Sequence, residues 1–421
     1  MKKHLFNWTN LSATASVFLF MWLLGSIGVQ FDFLNVFEEV IENYNLTDIY
    51  YNKIRENQAV PYEDDIVLVN IGGKEYGRRE IAQQIAVLSS AGSKVIGLDV
   101  KFFDLKEDDP IGDFQLAQAI ANAENVVLAS EFTVTTDTST AWDTIIRPPS
   151  LFAEHAHTAY VNVGNKNFSD CTTWRSLPVK EKTRSGVAEP CFAEKVAELY
   201  DPEAARVFKQ RENEVEQIYF RGNMDKFPKL DVEEVLNAQF EPSLVKGKIV
   251  LMGYLGDGYT DYYFDEDKFY TPLNEKMVGR GIPDMYGMVV HANIISMILD
   301  GKYIDEVPNY LETLFALLLC YLNVALFAYI LNNSKLSPYY GLTKIIQLVE
   351  ILLLVTISIF SFAIYNYVVD ITLAVLAIFL AGDLTEIFLD VILNPLRRSH
   401  IGRKLFVRKS TGNLSLGPVQ G

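Results

Sequence analysis

The sequence predicts an α/β protein, with an extracytoplasmic parallel or mixed sheet flanked by helices and four transmembrane helices. Three observations carry that expectation. Strand-like and helix-like runs alternate between residues 65 and 132. Four apolar runs lie toward the two ends. The 421-residue chain is 49% hydrophobic yet has a formal net charge of −16, so its apolar and acidic residues must be segregated along the chain.

The first apolar run, LSATASVFLFMWLLGSIGVQ (residues 11–30), holds no charge and is long enough to cross a hydrocarbon layer of ~30 Å. Lys2 and Lys3 precede it, which keeps residues 1–10 in the cytoplasm by the positive-inside rule. Ser26 and Gly28 make a small-x-small pattern, so a cleaved signal peptide is the alternative to an uncleaved anchor. Either way the following chain is exported. Further apolar runs occupy residues 310–331, 345–365 and 371–393. The loop between the first two of these carries Lys335 and Lys344 and no acid, and the next loop carries only Asp370. The tail, residues 394–421, contains Arg397, Arg398, Arg403, Lys404, Arg408 and Lys409 and no acid. This alternation predicts a multi-pass protein of a bacterial inner membrane, with a basic cytoplasmic tail and residues 31–308 as one extracytoplasmic domain.

Within that domain, Leu34, Phe37 and Ile41 predict a juxtamembrane helix, and Thr47 and Asp48 cap a second one running towards Arg55. DIVLVNIGG (65–73) is a β-branched run ending in Gly, hence a buried strand. RREIAQQIAVLSSAG (78–92) places Ile81, Ile85 and Leu88 on one helical face and stops at Gly. KVIGLDVKF is the next strand, residues 113–124 the next helix with Asp113 as its cap, and NVVLASEF (125–132) a third strand. Strand, helix, strand, helix, strand implies parallel pairing with right-handed crossovers. The middle is less regular. Residues 159–164 and 214–222 read as strands, 133–140 and 165–186 as surface loops, and 190–200 as a helix led by Pro190. GKIVLMGYLG (247–256) is a buried strand and GMVVHANIISMILDG (287–301) a helix.

In an open parallel sheet, ligands lie beyond the carboxyl ends of the strands. Those ends supply Asn70, Asp99, Lys101, Glu131, Gly253 and Asp257 as candidate ligand-binding residues. The alternative is that Asp99 and Lys101 only pair or cap a neighbouring helix. Cys171 and Cys191 are the candidate disulfide, since such bridges persist outside the cell, with two free thiols as the alternative. Cys320 falls in an apolar run. No His or Cys group has zinc-ligand spacing. GYLGDG (253–258) lacks the Lys and Ser/Thr of a phosphate loop, and the acids of residues 257–268 do not fit an EF-hand. His291 sits on an apolar helical face, where a core residue is the default and a pH sensor the alternative. Asp383, Glu386 and Asp390 share one face of the last run, and Glu350 is placed to reach headgroups.

DIVLVNIGG followed by Arg78 or Arg79, AGSKVIGLDVKFFD, YVNVG with Arg175 downstream, IYFRGN, GKIVLMGYLGDGYTDYY with Thr271 and Pro272, and GMVVHANIISMILDG occur in this order. On these stretches the exported domain resembles the type-two CHASE domain, the extracellular sensory domain associated with cyclases and histidine kinases. The resemblance implies a sensor held by closely spaced spans, and no catalysis of its own. Members of that family usually carry a kinase or cyclase after the spans. The tail 394–421 is too short for such a domain, so the expected output partner is a separate cytoplasmic signalling protein. The other expected partners are the membrane, an unknown extracytoplasmic ligand and a second copy in a homodimer. No cofactor and no nucleic acid is expected. A structural scaffold of the cell envelope is the alternative function.

Overall fold

The computed structural model describes residues 7–26, 46–55, 60–73, 75–134, 141–162, 173–256, 267–274, 282–332, 336, 341–393 and 395. The chain forms two compact units, one of Val40–Asp305 and one of Met1–Glu39 with Glu306–Gly421.

The first unit is built on a seven-stranded sheet. Its strands are β1 (Ile66–Asn70), β2 (Val95–Leu98), β3 (Val126–Thr133), β4 (Thr144–Ile146), β5 (His157–Tyr160), β8 (Lys229–Leu230) and β9 (Ile249–Gly253). A small ribbon of β6 (Ser176–Pro178) and β7 (Val215–Gln217) lies apart from it. The central strands are apolar at nearly every position, as burial on both faces requires. The spatial order is β4-β3-β2-β9-β1-β8, with β5 also on β3. All pairs are parallel except β3 with β4. The late strand β9 lies between β1 and β2, with Val250 opposite both Val67 and Ile96.

Helices cover both faces. On one, α1 (Arg78–Ser90), α2 (Pro110–Ala123) and α5 (Val232–Leu236) bury Ile81, Ile85, Leu88, Leu116, Ile120 and Val235 against alternate strand residues such as Val67, Val69, Ile96, Leu98 and Met252. On the other lie α3 (Phe192–Tyr200), α4 (Pro202–Lys209) and α6 (Gly287–Asp300). Gly97 lets α3 come close: a Cβ there would stand 3.1 Å from both Phe192 and Val196. The cap of α2 is Asp109, whose carboxylate accepts from Gly112 N at 3.0 Å ahead of Pro110 at the first helical position. Asp113, expected as that cap, is instead buried and paired with Arg78.

The arginines of the quoted motifs are structural clasps. Arg175 pairs with Asp48 at 2.6 Å and fastens the helical turn Leu46–Ile49. Arg55 donates to the carbonyls of Phe220 and Arg221. Arg221, 7% exposed, donates to Ser296 Oγ at 2.8 Å and Pro61 O at 3.1 Å and pairs with Glu63 and Asp300. Beside it Asn293 Oδ1 accepts from Arg221 N at 2.7 Å, and Asn293 Nδ2 donates to Gly222 O at 2.9 Å. A fully hydrogen-bonded polar set of this kind fixes how α6 docks on residues 218–223.

The expected Cys171–Cys191 bridge is not found. Cys191 is a free thiol, fully buried at the start of α3, where burial pushes it up to about 12, and Cys171 lies outside the described residues. The expected juxtamembrane helix at Leu34–Ile41 also falls outside them.

In the second unit, α7 (Asn309–Asn332) and α8 (Leu342–Tyr365) are long and apolar enough to cross a bilayer. Of the four expected spans, two match helices of that kind among the described residues. The N-terminal helix Trp8–Ser26 is shorter in its apolar part, and α9 (Thr372–Ile387) holds Asp383 and Glu386 before passing into a π-helix, Phe388–Leu393. Ala13, Val17, Cys320, Val324, Phe327, Ala377 and Ala381 form their common core. Asp383 meets Lys344 at 2.6 Å. Buried polar side chains come from all four helices, through Thr14, Asn323, Gln347 and Thr385, and not from the last one alone.

Candidate functional site

Strands β1 and β2 lead to α1 and α2 on one face, whereas β9 leads towards α6 on the other. The sheet therefore changes its winding on both sides of β9, and a crevice belongs at its carboxyl end. Asn70 occupies one side of it. Its amide donates to Gly256 O at 2.9 Å and Asp231 Oδ1 at 3.1 Å, and its oxygen accepts from Leu255 N at 3.1 Å and Gly72 N at 3.2 Å. Every hydrogen-bonding position of that side chain is taken by the protein. At Gly253 a Cβ would stand 2.9 Å from Met288 Sδ, so α6 closes the floor.

On the other side of β9 the structure gathers charge. Lys101 pairs with Glu131 at 2.6 Å. Loss of solvent pushes the Asp99 carboxyl up to about 6, against the opposing pull of Lys101. Asp267 is pushed up to about 7, first by loss of solvent and then by the neighbouring Asp99. Its carboxylate oxygens lie 3.2 Å from where a Cβ on Gly287 would be, at the first residue of α6. Asp99, Lys101 and Asp267 thus act on one another electrostatically, and Lys101 is ion-paired with Glu131, while Asn70 and Gly253 serve the packing around β9. Asp267 was not among the residues the sequence singled out, because its place beside Asp99 depends on the return of the chain after β9. Asp257 lies outside the described residues.

His291 is 2% exposed, edge-on to Phe192 at 5.1 Å, and burial lowers it to about 4. It stays neutral near pH 7, as a core residue does.

A further concavity lies elsewhere. An open cleft of about 810 Å³ is lined by segments around β6, β7 and the start of α3 and the end of α4. Trp142 and Phe208 contribute its aromatic walls. The indole N–H of Trp142 donates to Glu181 at 2.7 Å. The residues behind this cleft hold Tyr303 and Asp305, at the C-terminal end of this unit, its stem. Phe208 packs on Tyr303 with ring centroids 5.9 Å apart. Arg211 pairs with Glu216 at 2.6 Å, reaches Asp305 at 2.9 Å and lies over the Tyr303 ring at 4.4 Å. Residue spacing carries no sign of this cleft, because its walls come from four separated stretches.

A family model described as the CHASE2 domain matches residues 16–329. No curated relative and no solved structure matches the chain.

Proposed function

Because this chain belongs to the CHASE2 domain family, a family of extracellular sensory domains, we propose that it is a membrane-anchored sensor whose α/β unit reads a ligand outside the cytoplasm. In this reading four apolar segments hold it in the inner membrane, the chain performs no catalysis, and a separate cytoplasmic protein receives the signal through the basic tail. The observation that carries the reading is the contact between cleft and stem. Phe208 and Glu216 line the cleft, and Phe208 together with Arg211 grips Tyr303 and Asp305. Residue 305 lies only a few positions ahead of α7. An occupant that shifts α4 or Arg211 changes the hold on the stem, and a ligand moves an equilibrium only through such differential contacts.

Capture of partners from solubilised membranes tests this, using the full chain and a chain ending at residue 396. The reading expects a cytoplasmic kinase, cyclase or regulator with the full chain and its loss with the shorter one. Identical partners in both captures, or envelope components alone, would count against it.

A further inference from the structure

Two buried acceptors in the apolar helices are left without donors. Asn323 is 2% exposed and stands in the middle of the buried stripe Ala316, Cys320, Asn323, Phe327 and Ile330 of α7. Its Nδ2 donates to Leu319 O at 3.1 Å, within its own helix, and that acceptor fixes which end of the amide is free. The free end, Asn323 Oδ1, has no hydrogen-bond partner among the described residues. Glu350 of α8, expected at the headgroups, is half-buried and keeps Oε2 enclosed, also without a partner. A bare polar atom is costly where no water can replace the lost bond, and an ionisable side chain inside a span marks a functional site.

Register brings the two residues together. Asp370 N donates to Glu312 Oε1 at 2.8 Å and sets the start of α7 beside the start of α9. Asn323 lies as far past Glu312 as Ala381 lies past Asp370, so Asn323 and Ala381 share a level. Gln347 Nε2 donates to Ile378 O at 2.5 Å and Phe379 O at 3.0 Å, which sets α8 against α9 close to that level. Glu350 is one turn beyond Gln347 on the same face of α8. Ile330 near the end of α7 and Leu342 at the start of α8 pack in one cluster, so these helices run in opposite directions. Side chains tilt toward the start of their own helix, so Asn323 and Glu350 lean toward each other.

The charged neighbours are accounted for. Lys344 is the one lysine or arginine among the described residues of this unit, and it pairs with Asp383 of α9 at 2.6 Å. Glu386 lies beyond Asp383 on α9, Cys320 lies one turn from Asn323 on α7, and the helix Trp8–Ser26 carries no charge. No three His, Cys, Asp or Glu residues among the described ones are placed to hold a metal ion. A proton satisfies both free acceptors at once. We propose that Glu350 and Asn323 form an intramembrane proton-binding site, in which the proton joins the Glu350 carboxylate and is donated as a hydrogen bond to Asn323 Oδ1. Binding converts the carboxylate to a neutral carboxyl, and release leaves a charge inside the span. Lys344, Gln347 and Glu350 follow one another at successive turns and give the proton a polar route from the start of α8. The inference goes beyond the sensory reading and needs only that α7 and α8 lie in the bilayer.

Infrared spectroscopy of the full chain in nanodiscs at pH 7 tests it, reading the C=O band of protonated carboxyls apart from that of carboxylates. Subtracting the spectrum of Glu350→Gln from that of the wild type should leave one protonated-carboxyl band, shifted by exchange into heavy water. Asn323→Leu should keep the band and move it to higher frequency, because the carboxyl loses its acceptor. The second variant keeps the test valid where the first disturbs the fold. Exchanging potassium for sodium should leave the band unchanged. No band in the difference spectrum, a band unmoved by Asn323→Leu, or its loss in sodium alone would overturn the assignment. The band is read without any signalling output, so its absence leaves partner capture as an independent test of the sensory reading.

Discussion

A single guanidinium nitrogen of Arg221 holds Asp300 at 2.5 Å and Glu63 at 3.0 Å. Asp300 is the last residue of α6, and Glu63 belongs to the segment that enters β1. The pairing ties the last helix of the unit to β1, the strand between β9 and the edge strand β8. Removing the arginine leaves Glu63 buried without its cation. Arg221→Met should therefore destabilise the unit by about 3–5 kcal/mol, nearer the lower figure because Asp300 keeps some solvent. Arg221→Lys should recover only part of this, since an ammonium cannot reach Glu63, Asp300, Ser296 and Pro61 together. Urea unfolding followed by tryptophan fluorescence measures both, and a wild-type midpoint in either variant would refute the clasp.

Burial raises the carboxyls of Asp99, Asp267 and Asp284 to about 6, 7 and 6. A raised carboxyl means the folded state binds protons more tightly than the unfolded one. The stability it contributes is complete below the unfolded value and is lost as pH rises through the folded value. The unit should melt at a higher temperature at pH 5 than at pH 7.5. Asp267→Asn should flatten this dependence and raise the melting temperature at pH 7.5. Melting curves at the two pH values decide it, and a wild-type midpoint that falls on acidification to pH 5 would contradict the account.

Cys191 is free and enclosed, with its thiol raised to about 12. A thiol in that state is a poor nucleophile. Native protein should leave Cys191 unmodified by iodoacetamide while urea exposes it, as peptide mass spectrometry would read. A reducing agent should leave the melting temperature unchanged. A drop of several degrees under reduction would show that a bridge supports the fold after all.

The strands β1, β2 and β3 and the helices between them are legible from the sequence because their signals are local. Each strand is an uninterrupted apolar run, and Ile81, Ile85 and Leu88 repeat at helical spacing. The insertion of β9 between β1 and β2 is not legible, since nothing in residues 249–253 names partners as far back in the chain as Ile66 and Val95. The cap of α2 was open to a closer reading, because Asp109 followed by Pro110 is the commoner signal for a helix start than Asp113. The candidate residues at the strand ends follow from the rule for parallel sheets, yet the rule does not say which are consumed by packing. Asn70 saturates its hydrogen bonds on Leu255, Gly256 and Asp231, and only coordinates reveal that. The cleft is invisible for the same reason, as Trp142, Glu181, Glu194 and Phe208 meet only after folding.

The central claim is that the unit built on β1–β9 stands outside the cytoplasm while residues 397–421 remain inside. Labelling of intact cells with a membrane-impermeant maleimide tests it most directly, in a Cys171→Ser chain carrying either Glu241→Cys or Ser410→Cys. Glu241 is exposed at the surface of the unit. The account predicts labelling at position 241 in intact cells and at position 410 only after permeabilisation. Labelling at position 241 that requires permeabilisation would contradict it.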